Sequence, residues 1–353
     1  MQRHTSRSSP DRFGAPYVIQ VQRILFIHNS LTEFVRQDLE ELRRHYEVTE
    51  HYEKSLYVNP ATLWRQVQEH DLVFGWFASW HTFLPLLLAS ISHKPSLLIV
   101  GGYDVAKMPD IGYGHQRGGL KKWVSRRTMS FANLLVAFSS YSRDETIHNA
   151  GIDGKRVQAI YLGVPDPFKS LPNGSRARLV LTVGNVDRDN LLRKGHEPFV
   201  RAAALLPDVK FVLVGNWKDD AIEYLRSIAT ANVTFTGRVS NEALLDYYRR
   251  AAVYVQPSLH EGFGLSVAEA MLAGCVPVTT GAGALAEVTG ECGLRISSTE
   301  PAEIAEAVQA ALAFPAEARV ASRTRILDEF PVSKRREQLQ QLIEPFMNGH
   351  NLS

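Results

Sequence analysis

Two carboxylates punctuate one short segment, PSLHEGFGLSVAEAM (257–271). Glu261 stands just before a Gly-Phe-Gly-Leu turn, and Glu269 lies inside the helix expected to follow. Gly262 and Gly264 lack the Cβ atoms that would hold a ligand away from the backbone. The amides of Phe263, Gly264, Leu265 and Ser266 fall at the expected helix start, where unpartnered N–H groups and the helix dipole favour an anion. A diphosphate fits such a place. Glu269, about one turn into the helix, can accept hydrogen bonds from vicinal hydroxyls, as an acidic residue does for ribose in dinucleotide folds. Glu261 would face whatever hangs off the phosphate, such as sugar hydroxyls. A lone helix glutamate would read as a solvated side chain; two of them around Gly-x-Gly read as a site.

The elements that must position this segment alternate along the chain. Apolar runs at 23–28, 71–77, 96–100 and 133–138 predict buried parallel strands. Leu31, Phe34, Val35, Leu39 and Leu42 recur at helical spacing, and 80–91 and 117–131 also read as helices. The stretch YLGVPDPFKSLPNGSRAR (161–178) breaks the rhythm with turn and linker residues. Strands then restart at 179–184, 209–215, 232–237, 252–257 and 275–280, separated by helices near 195–206, 219–229, 241–250, 265–273 and 301–313. This predicts an α/β chain of two doubly wound, Rossmann-like domains facing across a cleft, with ligands outside the carboxyl ends of the strands. The expected divisions are a disordered start (1–20), a first domain (21–165), a second domain (166–330) and a C-terminal helix (331–353) packing back on the first domain.

Composition narrows the partners. The chain has 353 residues, 45% hydrophobic and 22% charged, with a formal net charge of +2. That balance argues against a dedicated nucleic-acid binder. Two cysteines, Cys275 and Cys292, are too few for a disulfide framework or a four-cysteine zinc site and suit a reducing compartment. The opening MQRHTSRSSPDRFGAP has no apolar core and is not a secretory signal. The most apolar run, 83–100, is interrupted by Ser90, Ser92, His93, Lys94 and Pro95, so it reads as helix, turn and strand rather than a membrane span. A cytoplasmic enzyme is expected. Peripheral contact with the inner face of a membrane stays open through KKWVSRR (121–127) and SKRR (333–336).

EGFGLSVAE resembles the paired-glutamate motif of retaining glycosyltransferases of the GT-B fold, specifically glycosyltransferase family 4. The segments 181–216, 235–258 and 276–294, with the linker IYLGVPDPF (160–168), are similar to the same family, so the resemblance covers most of the chain. It implies transfer of a sugar from a nucleotide-diphosphate sugar to an acceptor hydroxyl, on a glycan, a lipid or a small molecule, without a metal or other cofactor. It places the acceptor on the first domain and the donor on the second. By the resemblance, Glu269 binds ribose, Glu261 the transferred sugar, and the Gly262–Leu265 amides phosphate or sugar. Lys194 aligns with a lysine that contacts the diphosphate, and a lysine at such a strand-to-helix turn can pair with phosphate. Gly237, Arg238 and Val239 lie where the family's loop meets the base, although Arg238 could equally be surface charge.

Two positions depart from the pattern. Asn185 occupies the place where the family often has arginine after the phosphate-loop glycine, leaving either Arg188 or Arg193 to swing in or diphosphate binding to rest on Lys194 with the amides. Asp104 sits where many members have a histidine; it could orient the sugar or cap a turn. His115 and His81 are weaker candidates for that role, and His260 reads as structural. Trp76, Phe77, Trp80 and Phe83 either line the acceptor cleft or pack a helix. DRD (187–189) matches a metal-binding D-x-D only by its three letters. GAGALA (281–286) matches a dinucleotide fingerprint but is followed by too short a helix. The alternatives are an epimerase- or phosphorylase-like nucleotide-sugar enzyme, an inactive binding protein and a nicotinamide dehydrogenase.

Overall fold

The computed structural model describes residues 22–53, 59–171 and 176–347. The start expected to be disordered, part of the linker and the last residues lie outside these.

The first layer system runs β1 (Arg23–His28), α1 (Glu33–Arg43), β2 (Glu47–Tyr52), α2 (Pro60–Glu69), β3 (Leu72–Trp76), α3 (Trp80–Ile91), β4 (Ser96–Val100), α4 (Gly119–Phe131), β5 (Leu134–Ala137), α5 (Ser140–His148) and β6 (Val157–Ala159). Its six parallel strands take the order β2-β1-β3-β4-β5-β6. β3, β4 and β5 are buried along their whole lengths, which is why their sequences are continuous apolar runs.

The second runs β7 (Ala177–Val183), α6 (Arg188–Arg193), α7 (His196–Ala203), β8 (Lys210–Val214), α8 (Ala221–Ile228), β9 (Val233–Gly237), α9 (Asn241–Arg250), β10 (Ala251–Gln256), α10 (Leu265–Leu272), β11 (Val276–Thr279), α11 (Leu285–Thr289), β12 (Leu294–Arg295), α12 (Pro301–Leu312) and α13 (Ala316–Glu329). Its six strands, again parallel, take the order β12-β11-β10-β7-β8-β9. The order reverses between β7 and β10, so the crevice at a switch point opens at their carboxyl ends.

A last helix, α14 (Val332–Met347), returns to the first sheet's helices. Arg335 is buried there, giving Asp38 of α1 two hydrogen bonds of 2.8 and 2.7 Å and the Ile160 carbonyl one of 2.9 Å. The chain crosses between the two halves twice, near 164 and 330. The crossings lie side by side: Val164 N donates to the Phe330 carbonyl at 2.8 Å, and a Cβ on Gly163 would stand 2.7 Å from Val332 Cα.

Candidate functional site

A cavity of about 660 Å³ lies between the two sheets. The second sheet contributes Arg193, Lys194, residues 261–266 and Glu269; the first contributes Asn29, Phe77, His81, Tyr103, Asp104 and Tyr113 among others. Each wall forms at strand ends. β10 delivers Gln256 and then the loop carrying Glu261, while α6 ends at Arg193 with Lys194 as its C-cap. Gly195 follows with φ 70, a left-handed conformation, and a Cβ there would stand 2.3 Å from the Pro257 carbonyl oxygen. Glycine thus lets the Lys194 turn press against the Glu261 loop.

Glu261 Oε1 is the hub of that wall. It accepts from Gln256 Nε2 at 2.6 Å, Lys194 Nζ at 2.8 Å, Ser258 Oγ at 3.3 Å and Arg193 Nη1 at 3.5 Å. Burial pushes its pKa up, but the Lys194 ammonium and Arg193 guanidinium outweigh that and hold it at about 2. It is therefore a fixed anion. The GAGALA loop braces it from behind: Ala284 N donates to the Glu261 carbonyl at 2.9 Å, and a Cβ on Gly283 (φ 65) would meet that oxygen at 2.2 Å. The helix after this loop, α11, spans five residues, too short for a dinucleotide unit.

Gly264 (φ 97) caps α10, and no side chain caps this helix start. First-turn amides such as those of Leu265 and Ser266 have no partner within a helix, and here they border the cavity. The Phe263 side chain is buried against Phe330 and Tyr161. Glu269 projects from the same helix and accepts from Tyr248 OH at 2.9 Å. Burial raises its pKa to about 7, against the lowering effect of that hydrogen bond.

On the opposite wall, Asp104 is buried with both oxygens occupied. Oδ2 accepts from Ala78 N at 2.9 Å and Oδ1 from Gly101 N at 3.0 Å. It touches the cavity, yet its bonding is that of a clamp between the loops after β3 and β4. Burial lifts its pKa to about 7, outweighing the two backbone N–H bonds, which favour the ionised form. His81 points its Nε2 at the Trp76 carbonyl, 2.7 Å away, and burial lowers its pKa to about 4. His115 stacks edgewise on Tyr103 at 4.8 Å. Phe77 lines the wall with φ 65, an unusual backbone conformation for an aromatic residue. Trp76 is core, whereas Trp80 and Phe83 lie outside the cavity.

Of the two arginines expected to swing in, Arg193 does and Arg188 does not. Arg188 is exposed and bound by Asp220, with Nε 2.8 Å from Oδ1. Asn185, Arg238 and Val239 are not among the cavity's lining residues either. Asn185 contributes its carbonyl to His196 and Asn190, both at 3.1 Å, and Arg238 is exposed. In DRD, Asp187 caps α6 by accepting from Asn190 N at 2.9 Å. Among the described residues no cluster of three or more His, Cys, Asp or Glu could hold a metal.

Sequence reasoning missed Gln256, Tyr113 and Tyr248. Gln256 had a visible signal, a polar residue closing an apolar strand. Tyr113 had none: it comes from the other half of the molecule to lie under Arg193, 4.8 Å from ring centre to guanidinium. The two halves also touch directly. Ser139 Oγ donates to the Gly262 carbonyl at 2.6 Å, His260 Nε2 lies 3.0 Å from Glu145, and Glu287 accepts from Ser140 N and Tyr141 N at 2.9 and 2.7 Å.

Comparisons with known proteins agree with this architecture. Residues 177–313 match the family model described as Glycosyl transferases group 1. The alpha-maltose-1-phosphate synthase of Mycolicibacterium smegmatis is 28% identical over 71% of this chain and 73% of its own length. The D-inositol 3-phosphate glycosyltransferase of Mycolicibacterium gilvum is 33% identical over 64% of this chain and 53% of its own. The chain spans about half the length of several other curated relatives it matches. Among solved structures, HepE from Anabaena, in complex with UDP and glucose, superposes with a TM-score of 0.73 at 16% identity, covering 92% of this chain and 99% of that one. A sucrose-phosphate synthase from Thermosynechococcus elongatus gives 0.72 at 20% identity, covering 93% and 100%. The chain therefore has the GT-B architecture of a glycosyltransferase, and residues 177–313 of its second half match the group 1 glycosyl transferase model.

Proposed function

We propose that the chain is a retaining glycosyltransferase of family 4 that moves a sugar, of hexosyl type, from a nucleotide-diphosphate sugar to an acceptor hydroxyl. The observation that carries this reading is the convergence, in one cavity, of the Glu261–Lys194 pair, the uncapped start of α10 and Glu269. Each matches one part of a donor. Glu269 accepts from the ribose hydroxyls. The α10 amides and Lys194, with Arg193 beside it, meet the diphosphate. Glu261, a permanent anion, accepts from hydroxyls of the sugar. The first half of the molecule faces them with aromatic and hydroxyl side chains for the acceptor, which is a glycan, a lipid-linked or a small molecule.

The resemblance suggests the chemistry. The acceptor hydroxyl attacks the anomeric carbon on the face the diphosphate leaves, the carbon–phosphate oxygen bond breaks, and the departing phosphate takes the hydroxyl proton. The protein's part is to stabilise the charge gathering on that phosphate. Lys194, Arg193 and the α10 amides supply positive potential, and on this reading no metal is needed. Asp104 acts indirectly, by holding the two loops of the acceptor wall. We place the enzyme in the cytoplasm.

The test is thermal stabilisation by UDP, GDP, ADP, dTDP, CMP and NADH, followed by transfer assays with the sugar of the base that binds. A ligand at about 100 times its dissociation constant adds roughly 2.7 kcal/mol. A shift with one nucleoside diphosphate, lost in Glu269→Ala, supports the reading, and NMR of the product's anomeric proton reads retention. A shift with NADH alone would overturn it.

A further inference from the structure

The Glu261 side chain is held by its own half of the molecule, but both of its neighbours in the chain are held by the other half. Ser139 Oγ and Ser142 Oγ donate to the Gly262 carbonyl, at 2.6 and 3.2 Å. On the other flank, the two carboxylate oxygens of Glu145 lie 3.1 and 3.0 Å from His260 Nε2. A carboxylate only accepts, so Nε2 carries the hydrogen of this pair. Ser139, Ser142 and Glu145 follow one another at three-residue spacing, down one side of the start of α5. Ser139, Ser142 and His260 are fully buried, and Glu145 is only 7% exposed. The Tyr113 and Tyr141 rings, also from the first half, flank the His260 ring at 5.2 and 5.6 Å. α5 is tied to the second half at its first turn as well. There the Glu287 carboxylate accepts from Ser140 N and Tyr141 N, two amides that no partner within the helix can satisfy.

We infer that Ser139, Ser142 and Glu145 are positioning residues for sugar transfer: by gripping Gly262 and His260, they set where Glu261 stands against the acceptor wall. The inference rests on the transferase reading, which gives Glu261 the donor sugar. The division of labour follows from the bonds. Lys194, Gln256 and Ser258 fix the direction of the Glu261 side chain from within the second half. They leave open its distance from Tyr103 and Asp104, which belong to the first. α5 belongs to that first half too, so its three side chains supply the missing coordinate. The packing leaves little slack, since a Cβ on Gly262 would stand 2.9 Å from Gly102 N, in the loop that carries Tyr103 and Asp104. Glu269, Lys194 and the α10 amides, which meet the nucleotide in the transferase reading, all lie in the second half. Nucleotide binding should therefore not depend on α5, whereas turnover should.

The experiment compares Ser142→Ala, Glu145→Ala and Glu145→Gln in the full chain. Ser142 is preferred to Ser139 because Ser139 also caps α5, accepting from Ser142 N at 2.9 Å. Affinity is measured by calorimetry for UDP, GDP, ADP or dTDP, whichever stabilises the wild type. Turnover is read as release of that nucleoside diphosphate from its glucosyl and mannosyl esters, with water or a methyl glucoside supplying the hydroxyl. Both alanine variants should lose about tenfold or more in kcat, the scale of a small misplacement at a reacting centre. Their nucleotide dissociation constants should stay within about twofold of wild type, the signature of an interaction that matters only in the transition state. Glu145→Gln, whose amide oxygen still accepts from His260 Nε2, should recover kcat to within about threefold. Ser142→Ala removes a single hydroxyl and keeps the test open where Glu145→Ala unfolds. Unchanged kcat in the alanine variants, with or without a lower unfolding temperature, would overturn the positioning role and leave the transferase reading standing. So would equal losses of kcat and nucleotide affinity. A wild-type chain that binds none of the nucleotides and releases none would sink the transferase reading, and the positioning role with it.

Discussion

Lys194 Nζ stands 2.8 Å from Glu261 Oε1, with both side chains mostly out of solvent. A cation so placed has two tasks. It neutralises a buried carboxylate, and it presents its remaining donors to an anion entering the cleft.

Lys194→Ala removes one member of a buried pair, which typically costs about 3–5 kcal/mol. Glu261 keeps Gln256, Ser258 and the longer contact to Arg193. The expected loss is therefore about 3 kcal/mol in urea unfolding, near the low end of that range. Transfer should fall at least about a hundredfold, the usual effect of removing a donor from a developing oxyanion.

Glu269 gives the site a pH dependence. It is neutral below about pH 7 and a carboxylate above. A carboxylate accepts from two hydroxyls, so affinity for the nucleoside diphosphate should rise between about pH 6 and pH 8 by up to about tenfold. Calorimetric titration across that range should show the rise in wild type and not in Glu269→Gln. Stability runs the other way. A carboxyl whose folded pKa is raised contributes stability fully present below its unfolded value and lost as pH rises through about 7. The Glu269→Gln variant should lose less stability than wild type over the same rise in pH.

Gln256→Leu leaves a side chain of similar size but deletes the 2.6 Å donor to Glu261. Nucleotide affinity should be nearly unchanged, because Glu269 and Lys194 are untouched. Turnover should fall about tenfold, since Glu261 loses the shortest of the bonds that fix its rotamer. Comparing kcat with the dissociation constant of the nucleoside diphosphate separates the two effects.

Gly262→Ala tests how tightly the halves close. The added Cβ would stand 2.7 Å from Phe138 Cε2 and 2.9 Å from Gly102 N, and a backbone nitrogen cannot step aside. Forcing the carbon in should cost about 1–3 kcal/mol and lower activity. Thermal unfolding and small-angle scattering would register the destabilisation and the wider cleft.

Much of this was legible in the amino-acid order. Strands such as RILFIH and SLLIV are buried almost throughout, and burial on both faces leaves a continuous apolar centre that marks them plainly. β2 (EVTEHY) escaped because it is an edge strand with no fully buried residue. α5 (SYSRDETIH) escaped because it has no apolar stripe; its start is fixed by Ser139 and by Glu287 from across the cleft. The same distinction holds at the site. Glu261, Glu269 and Lys194 announced themselves through local motifs. Tyr113 acts on a partner that only folding brings near, and Arg188 missed the cleft because Asp220, 32 positions away in the chain, holds it elsewhere.

The twin crossings near 164 and 330 lie edge to edge, bonded by Val164 and Phe330, so the two halves are tied by a double strap at one place. A protease that nicks either crossing would still leave the halves fastened by the other.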